Sequence, residues 1–176
     1  MKKMMALKSA VVEGFLPGYL GRITQMHGEY YAKAWGSGPA FETVMARELC
    51  DFYEDYTPNR DLLLTAHVDG KLVGSIVVDG SEKERPGARL RWYIVDEGYQ
   101  GKGLGRQLLI RALDFCRKQS FKTIYIWTVE GLPKSRHLYE SIGMNTVESF
   151  TDDRYTLPLV NLRMEISIEE LPSIIS

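Results

Sequence analysis

The sequence predicts an α+β domain in which helices cover both faces of one mixed sheet. Two observations lead to this fold class. β-rich segments and amphipathic helices follow one another in the order β, α, α, three strands, helix, strand, helix and two strands. No internal repeat, low-complexity tract or long linker divides the 176 residues. We therefore expect a single domain over residues 1–176, with a core of about residues 5–167 and a short C-terminal tail.

Hydrophobic spacing predicts a strand and two helices in the first third of the chain. Apolar residues recur every three or four positions in both helical segments, and a Gly-Ser-Gly-Pro run at 36–39 separates them. The predicted elements are a strand at about residues 5–12, a helix at about 18–35 and a second helix that ends near 56–58.

The remainder of the chain alternates between strands and helices. Asp69 and Gly70 mark a two-residue hairpin turn between two apolar strands. Pro133 suits the first turn of a short helix. The predicted strands are 62–68, 72–78, about 88–95, 123–129, 146–150 and 159–166, and the predicted helices open at 101–105 and at 133.

The composition is that of an ordinary soluble protein, with 44% hydrophobic and 26% charged residues. A net charge of −1 argues against nucleic acid and anionic membrane as partners. The chain has no apolar run of about 18 residues, and no apolar stretch follows its basic start, so we expect a cytoplasmic protein. Cys50 and Cys116 fall in apolar helical patterns and are expected to be buried, inert thiols.

A glycine-rich turn at residues 100–106 carries the strongest functional signal. It joins a predicted strand to the start of an amphipathic helix. Backbone N–H groups converge in such a turn, and the helix dipole adds partial positive charge, so the turn can bind an anion. Glycines let the backbone approach the anion closely, and Lys102 and Arg106 add charge at the rim.

Two common phosphate-binding motifs do not fit this turn. A P-loop requires Gly-Lys followed by Ser or Thr, but Gly101-Lys102 is followed by Gly103. A dinucleotide-binding fingerprint requires a third glycine where Arg106 stands.

The residues that do match a pattern are Gln100, Gly103 and Gly105, in the form Gln/Arg-x-x-Gly-x-Gly/Ala. Downstream, Leu-Tyr-Glu-Ser-Ile-Gly-Met at 138–144 is similar to a Leu-Tyr-Glu-x-x-Gly-Phe segment. Together these segments resemble the GCN5-related N-acetyltransferase (GNAT) family over about residues 5–167. The chain looks closest to the acetyltransferase domains that are elsewhere fused to MarR-type regulators, without the regulator half. The resemblance implies a mostly antiparallel sheet and acetyl-CoA as cosubstrate.

The resemblance also implies roles for individual residues. Tyr93, Ile94 and Val95 would offer backbone groups to the pantetheine arm. The pyrophosphate would be held by Gln100, Gly101, Lys102, Gly103, Leu104, Gly105 and Arg106. Ser135 either contacts the cofactor or caps its helix. Tyr139 falls where many members keep a tyrosine near the CoA sulfur, and a phenol of pKa about 10 can protonate a thiolate of pKa about 8.5. It could alternatively be a core tyrosine.

Two positions depart from the family pattern. Many members have Asn where this chain has Leu132, and some protein-acetylating members have a Glu base where it has Trp127. The resemblance therefore names no general base. It predicts acetyl transfer to a primary amine of a small molecule or peptide. The alternative is a catalytically weak acetyl-CoA-binding sensor or interaction module.

An aromatic group on the first helix is the candidate acceptor site. The family places this helix beside the acceptor cleft, so His27, Tyr30 and Tyr31 are predicted to bind the amine. The same group could simply pack against the sheet. The three histidines lie on different elements without Cys partners, so we expect no metal. The final strand and the tail at 168–176 could pack across a homodimer.

Overall fold

The computed structural model of this protein describes residues 9–82, 87–152 and 158–172. The start of the predicted first strand, parts of the two loops near residues 85 and 155, and the end of the tail with Ile174 and Ile175 lie outside the described residues. The strands are β1 Ser9–Glu13, β2 Leu62–Val68, β3 Lys71–Asp79, β4 Ala88–Val95, β5 Thr123–Val129, β6 Asn145–Asp152 and β7 Leu159–Ser167. The α-helices are α1 Tyr19–Trp35, α2 Pro39–Glu54, α3 Leu104–Lys118 and α4 Pro133–Ser141.

The described strands form one seven-stranded sheet in the order β1-β2-β3-β4-β5-β7-β6. The pairing of β4 with β5 is parallel, and every other pairing between neighbours is antiparallel. The turn between β2 and β3 holds Asp69 at φ 50° and Gly70 at φ 81°, as a two-residue hairpin of the primed type requires. The predicted fold class and the predicted turn are both confirmed.

Helices cover both faces of the sheet, as predicted. On one face α1 and α2 pack Ile23, Leu49 and their neighbours against β2 and β3. On the other face α3 packs Leu108, Leu113 and their neighbours against the central strands. These four leucine and isoleucine side chains are almost completely buried, and each such burial contributes about 1.5–3 kcal/mol. Among the described helices, none is both long and apolar enough to cross a membrane.

One prediction about side-chain exposure is wrong. Cys50 is exposed on α2, because the helix turns its neighbour Leu49 toward the sheet instead. Cys116 is buried as predicted, and burial raises the pKa of its thiol to about 12. The final strand, β7, is paired on both sides, with β5 and with β6, so it offers no free edge to a second copy. Leu171 in the tail is also buried, against its own chain's core.

Candidate functional site

A gap opens between the two parallel strands at the centre of the sheet. Pairing of β4 with β5 runs from Ala88 to Leu90, which lies opposite Ile126, and then stops. The remainder of β4, residues 91–95, pairs with β3 but not with β5. This half of β4 therefore has backbone groups that can bind a ligand entering between the strands.

A β-bulge in β4 accompanies this opening. Two steps along β3, from Val77 to Ser75, face three steps along β4, from Arg91 to Ile94, and Trp92 adopts φ 45°. A positive φ at a bulky residue costs about 1–3 kcal/mol, and the Ser75 hydroxyl donates a 2.7 Å hydrogen bond to the Trp92 carbonyl oxygen there. The bulge also reverses the alternation of side chains. Leu90 packs on the α3 face, whereas Trp92 packs on the α1–α2 face.

The opening lies within a cleft of about 990 Å³ between α1, β4, β5 and the start of α3. The cleft brings together the cofactor, catalytic and acceptor residues predicted from the sequence, apart from Lys102 and Leu104. The predicted residues that line it are His27, Tyr30, Tyr31, Tyr93, Ile94, Val95, Gln100, Gly101, Gly103, Gly105, Arg106, Ser135 and Tyr139. The Leu104 side chain is buried in the core, so it can contribute to the cleft only through its backbone.

The N-terminus of α3 presents free backbone donors to the cleft. Its N-cap is Gly103, at φ 81°, and no side chain caps the helix. The first intrahelical bond runs from Gln107 N to Gly103 O, 3.0 Å long, which leaves the amides of residues 104–106 without helical partners. Gly101 also has a positive φ, 74°. Both glycines are therefore needed for backbone conformation, and the turn they form suits an anion.

Gly105 serves a different purpose from the other two glycines. An added Cβ would lie 3.0 Å from Tyr93 Oη, and the Tyr93 hydroxyl donates a 2.8 Å bond to the Gly105 carbonyl oxygen. The close packing of α3 on β4 therefore favours a small residue here. The Gln100 side chain ties the turn to the same strand, since its Nε2 donates to Val95 O at 2.9 Å. Lys102 stays exposed and donates to Gly98 O at 3.1 Å.

Tyr139 lies deep in the cleft, on α4. Its side chain is almost fully buried, and its hydroxyl makes no hydrogen bond with the part of the chain that the structure describes. Burial, and then the nearby phenols of Tyr93, Tyr31 and Tyr30, raise the pKa of Tyr139 well above its ordinary value. The phenol therefore keeps its proton at physiological pH and can act as a donor.

Ser135 does not cap its helix. The N-cap of α4 is Leu132, and it makes no side-chain capping bond. Ser135 instead lies within the first turn of α4 and lines the cleft. The geometry is compatible with a cofactor contact, as the family resemblance implies.

The aromatic group on α1 forms a wall of the cleft and also packs internally. Tyr31 lies 4.7 Å from Phe41 and 5.1 Å from Trp35, measured between ring centroids. It stacks on His27 at 6.4 Å with an interplanar angle of 12°. The rings therefore pack against α2, as the alternative interpretation expects, and they also face the cleft. Binding of the amine by this group stays a prediction.

His27 is neutral and shows a defined tautomer. Its Nδ1 lies 2.9 Å from the Ile23 carbonyl oxygen, which can only accept, so Nδ1 carries the proton. Burial lowers the pKa of His27 to about 4, against a smaller upward effect of that hydrogen bond. Nε2 has no partner among the described residues, so His27 presents an unprotonated nitrogen to the cleft.

Sequence reasoning missed two arginines of β4 that line the cleft. Arg91 binds two carboxylates, Glu48 of α2 and Asp79, each at 2.8 Å. Arg89 lies two residues earlier and has no hydrogen bond or ion pair within the described chain. Charged residues at alternate positions of an otherwise apolar central strand were the signal that could have found them. Among the described residues, no group of three or more His, Cys, Asp or Glu side chains forms a metal-binding cluster.

Comparisons with known proteins agree with this geometry. The sequence profile of the Acetyltransferase (GNAT) family matches residues 21–144, well over half of the chain. The N-acetylaspartate synthetase of Xenopus tropicalis is 32% identical over 82 residues, which are 47% of this chain and 30% of that protein. The chain spans 30–40% of the length of the N-acetylaspartate synthetases that it matches.

Solved structures share the fold across nearly the whole chain. A structure from Salmonella typhimurium with its cofactor acetyl-CoA has a TM-score of 0.72 at 19% identity, covering 94% of this chain and 97% of that one. The spermidine N-acetyltransferase of Vibrio cholerae, in complex with CoA and spermine, has a TM-score of 0.65 at 22% identity. It covers 92% of this chain and 96% of its own.

Proposed function

Because the chain belongs to the GNAT acetyltransferase family, we propose that it transfers the acetyl group of acetyl-CoA to a primary amine. The acceptor is an amine of a small molecule or peptide, and it attacks directly in a ternary complex. One observation carries the proposal. A single cleft joins the free amides of α3 to the aromatic wall of α1 through the opening between β4 and β5.

The residues at the α3 end of the cleft fit a pyrophosphate. Three unpaired amides and the positive end of a 15-residue helix meet there, behind a turn whose glycines leave room for an anion. Arg106 lies at the rim with its side chain exposed. The pantetheine arm would run along residues 93–95 of β4, where β5 no longer occupies the backbone groups.

The reaction requires a bond exchange at the thioester carbon. The amine nitrogen forms the new C–N bond and loses a proton, the C–S bond breaks, and the CoA thiolate takes up a proton. A backbone N–H on the unpaired half of β4 would stabilise the oxyanion of the tetrahedral intermediate. Tyr139 is suited to protonate the thiolate, because its phenol is buried and protonated and its hydroxyl makes no hydrogen bond within the described residues.

The chain has no carboxylate to remove the amine proton at the position where some family members carry a Glu base. Trp127 stands there, and its ring packs edge-on against Phe150 at 5.2 Å in the cleft wall. His27 can accept a hydrogen bond from the amine through Nε2, but its low pKa makes it a weak base. We therefore infer that the amine binds in its neutral form or loses its proton to water.

The second candidate function is acetyl-CoA binding without efficient turnover. The observation that favours it is the pair Leu132 and Trp127, both in the cleft wall at positions where family members carry polar residues. Thiol release measured with acetyl-CoA and a panel of amines separates the two functions. Release that depends on an amine supports transfer, whereas tight acetyl-CoA binding with no amine-dependent release supports the binding module.

Other features remain proposals. The relatives' names point to acceptors of opposite charge, an amino acid with carboxylates in one case and a polyamine in the other. The kinship with domains fused to MarR-type regulators, the single-domain organisation, a cytoplasmic location and a homodimer also stay predictions.

A further inference from the structure

Within the described residues, Arg89 is a charged side chain without a hydrogen-bonded counter-ion in the wall of the cleft. Its Nε is buried and makes no hydrogen bond, and the structure gives it no ion pair within the described residues. Its terminal nitrogens are not among the buried unpaired atoms, so they reach open space. Burial, followed by the neighbouring charge of Arg91, lowers the pKa of Arg89 below its ordinary value, although a guanidinium remains charged at neutral pH.

The register of the sheet places Arg89 beside the opening. It lies opposite Tyr125 in β5, one position before the last β4–β5 pair. Its neighbours Ala88 and Leu90 pack on the α3 face, so the side chain of Arg89 lies on the opposite face, which α1 and α2 cover. The amides of α3 lie across the sheet from it. Arg89 is therefore on the acceptor side of the opening and away from the pyrophosphate-binding turn.

No described carboxylate forms an ion pair with Arg89. The two described carboxylates that act on it electrostatically, Glu48 and Asp79, both bind Arg91 at 2.8 Å. Two guanidinium groups, those of Arg89 and Arg91, thus lie near the same two carboxylates, and both carboxylates are bonded to Arg91. An anion in the cleft would meet a guanidinium that needs a partner, whereas a polycation would meet uncompensated positive charge.

We propose that Arg89 binds a carboxylate of the acceptor, so that the substrates are amines that also carry a carboxylate, such as amino acids. The inference rests on the proposed acetyl transfer. A planar guanidinium with two free nitrogens suits a carboxylate, which it can bind through two parallel hydrogen bonds. Such an anchor would direct the amine of the same molecule toward the opening where β4 and β5 separate.

A binding experiment tests the anchor without requiring turnover. L-Aspartate and succinate are titrated into the wild type, Arg89→Met and Arg89→Lys, and L-aspartate diamide is the matched probe that lacks both carboxylates. We expect the wild type to bind both carboxylates, Arg89→Met to bind them at least tenfold more weakly, and Arg89→Lys to fall between. Arg47→Met, an exposed arginine of α2 outside the cleft, is the control and should bind like the wild type.

Steady-state kinetics then distinguish this inference from the proposed function. With carboxylated amines, Arg89→Met should lower kcat/KM at least 100-fold and leave KM for acetyl-CoA within about twofold. Equal turnover of L-aspartate and its diamide by the wild type, or unchanged carboxylate binding in a folded Arg89→Met, would overturn the anchor. Absence of turnover with every amine would instead count against acetyl transfer, and the titrations would still decide the role of Arg89.

Discussion

The two ends of the cleft offer a ligand different kinds of binding group. At the α3 end the available groups are backbone amides, held by Gly101 and Gly103 in conformations that other residues adopt poorly. At the α1–α2 end the lining consists of side chains from separate elements, among them His27, Tyr31 and Arg89. The comparison teaches that a ligand bound by the backbone leaves a glycine pattern in the sequence. A ligand bound by side chains leaves only scattered residues that packing brings together.

The largest expected effect is at the backbone end. Gly103→Asp places a carboxylate at the anion site and forces a side chain to φ 81°, so CoA binding should fall at least 100-fold by calorimetry. Gly103→Asn is the matched control, because Asn has the same shape, tolerates this conformation and carries no charge. It should weaken binding by no more than about tenfold. Similar affinities for the two folded variants would show that the anion does not bind here.

The second-largest effect is expected at Tyr139, which lies between the α3 end and the α1–α2 end of the cleft. Tyr139→Phe should lower kcat by about 10²–10⁴-fold, with CoA affinity unchanged, because the hydroxyl acts on the departing thiolate and not in binding. Single-turnover kinetics over a range of pH measure this loss. A wild-type rate at every pH would assign Tyr139 to the core, where its burial alone would explain it.

The third effect is a dependence of the free energy of unfolding on pH through His27, at the α1–α2 end of the cleft. The pKa of His27 is about 4 in the folded protein and 6.5 in its ordinary state, so the unfolded chain binds more protons between these values. The free energy of unfolding should therefore fall by about 2 kcal/mol between pH 7 and pH 5 through this residue. His27→Asn keeps a donor toward Ile23 O and removes the titration. Denaturant unfolding at both pH values should show a smaller loss for the variant, and an equal loss would place the titration elsewhere.

The smallest expected effect concerns the aromatic wall. Tyr31→Ala should raise KM for the amine at least tenfold and leave KM for acetyl-CoA within about twofold, as lost acceptor binding predicts. Tyr53→Ala removes a half-exposed tyrosine of α2 outside the cleft and should change neither constant. An equal rise in both KM values would assign Tyr31 to packing against Phe41 and Trp35. The same conclusion would follow if Tyr31→Ala fails to fold while Tyr31→Phe, which keeps the ring, still folds.

The local sequence determined the helices, the strands and the glycine-rich turn at 100–106. Hydrophobic spacing and breakers such as Pro39 and Gly70 lie within a few residues of the structure that they specify, so their signals can be read along the chain. The turn at 100–106 was predictable for the same reason, since its glycines act on their own backbone.

Only the tertiary structure decided which side chains meet. The bulge at Trp92 shifts the phase of β4, so sequence alternation alone cannot tell which residues of that strand reach the cleft. The exposure of Cys50 and the enclosure of β7 between two strands likewise depend on residues far away in the chain. So does the lack of an ion pair at Arg89 among the described residues. Packing and charge pairing between distant segments are long-range properties, and no local pattern encodes them.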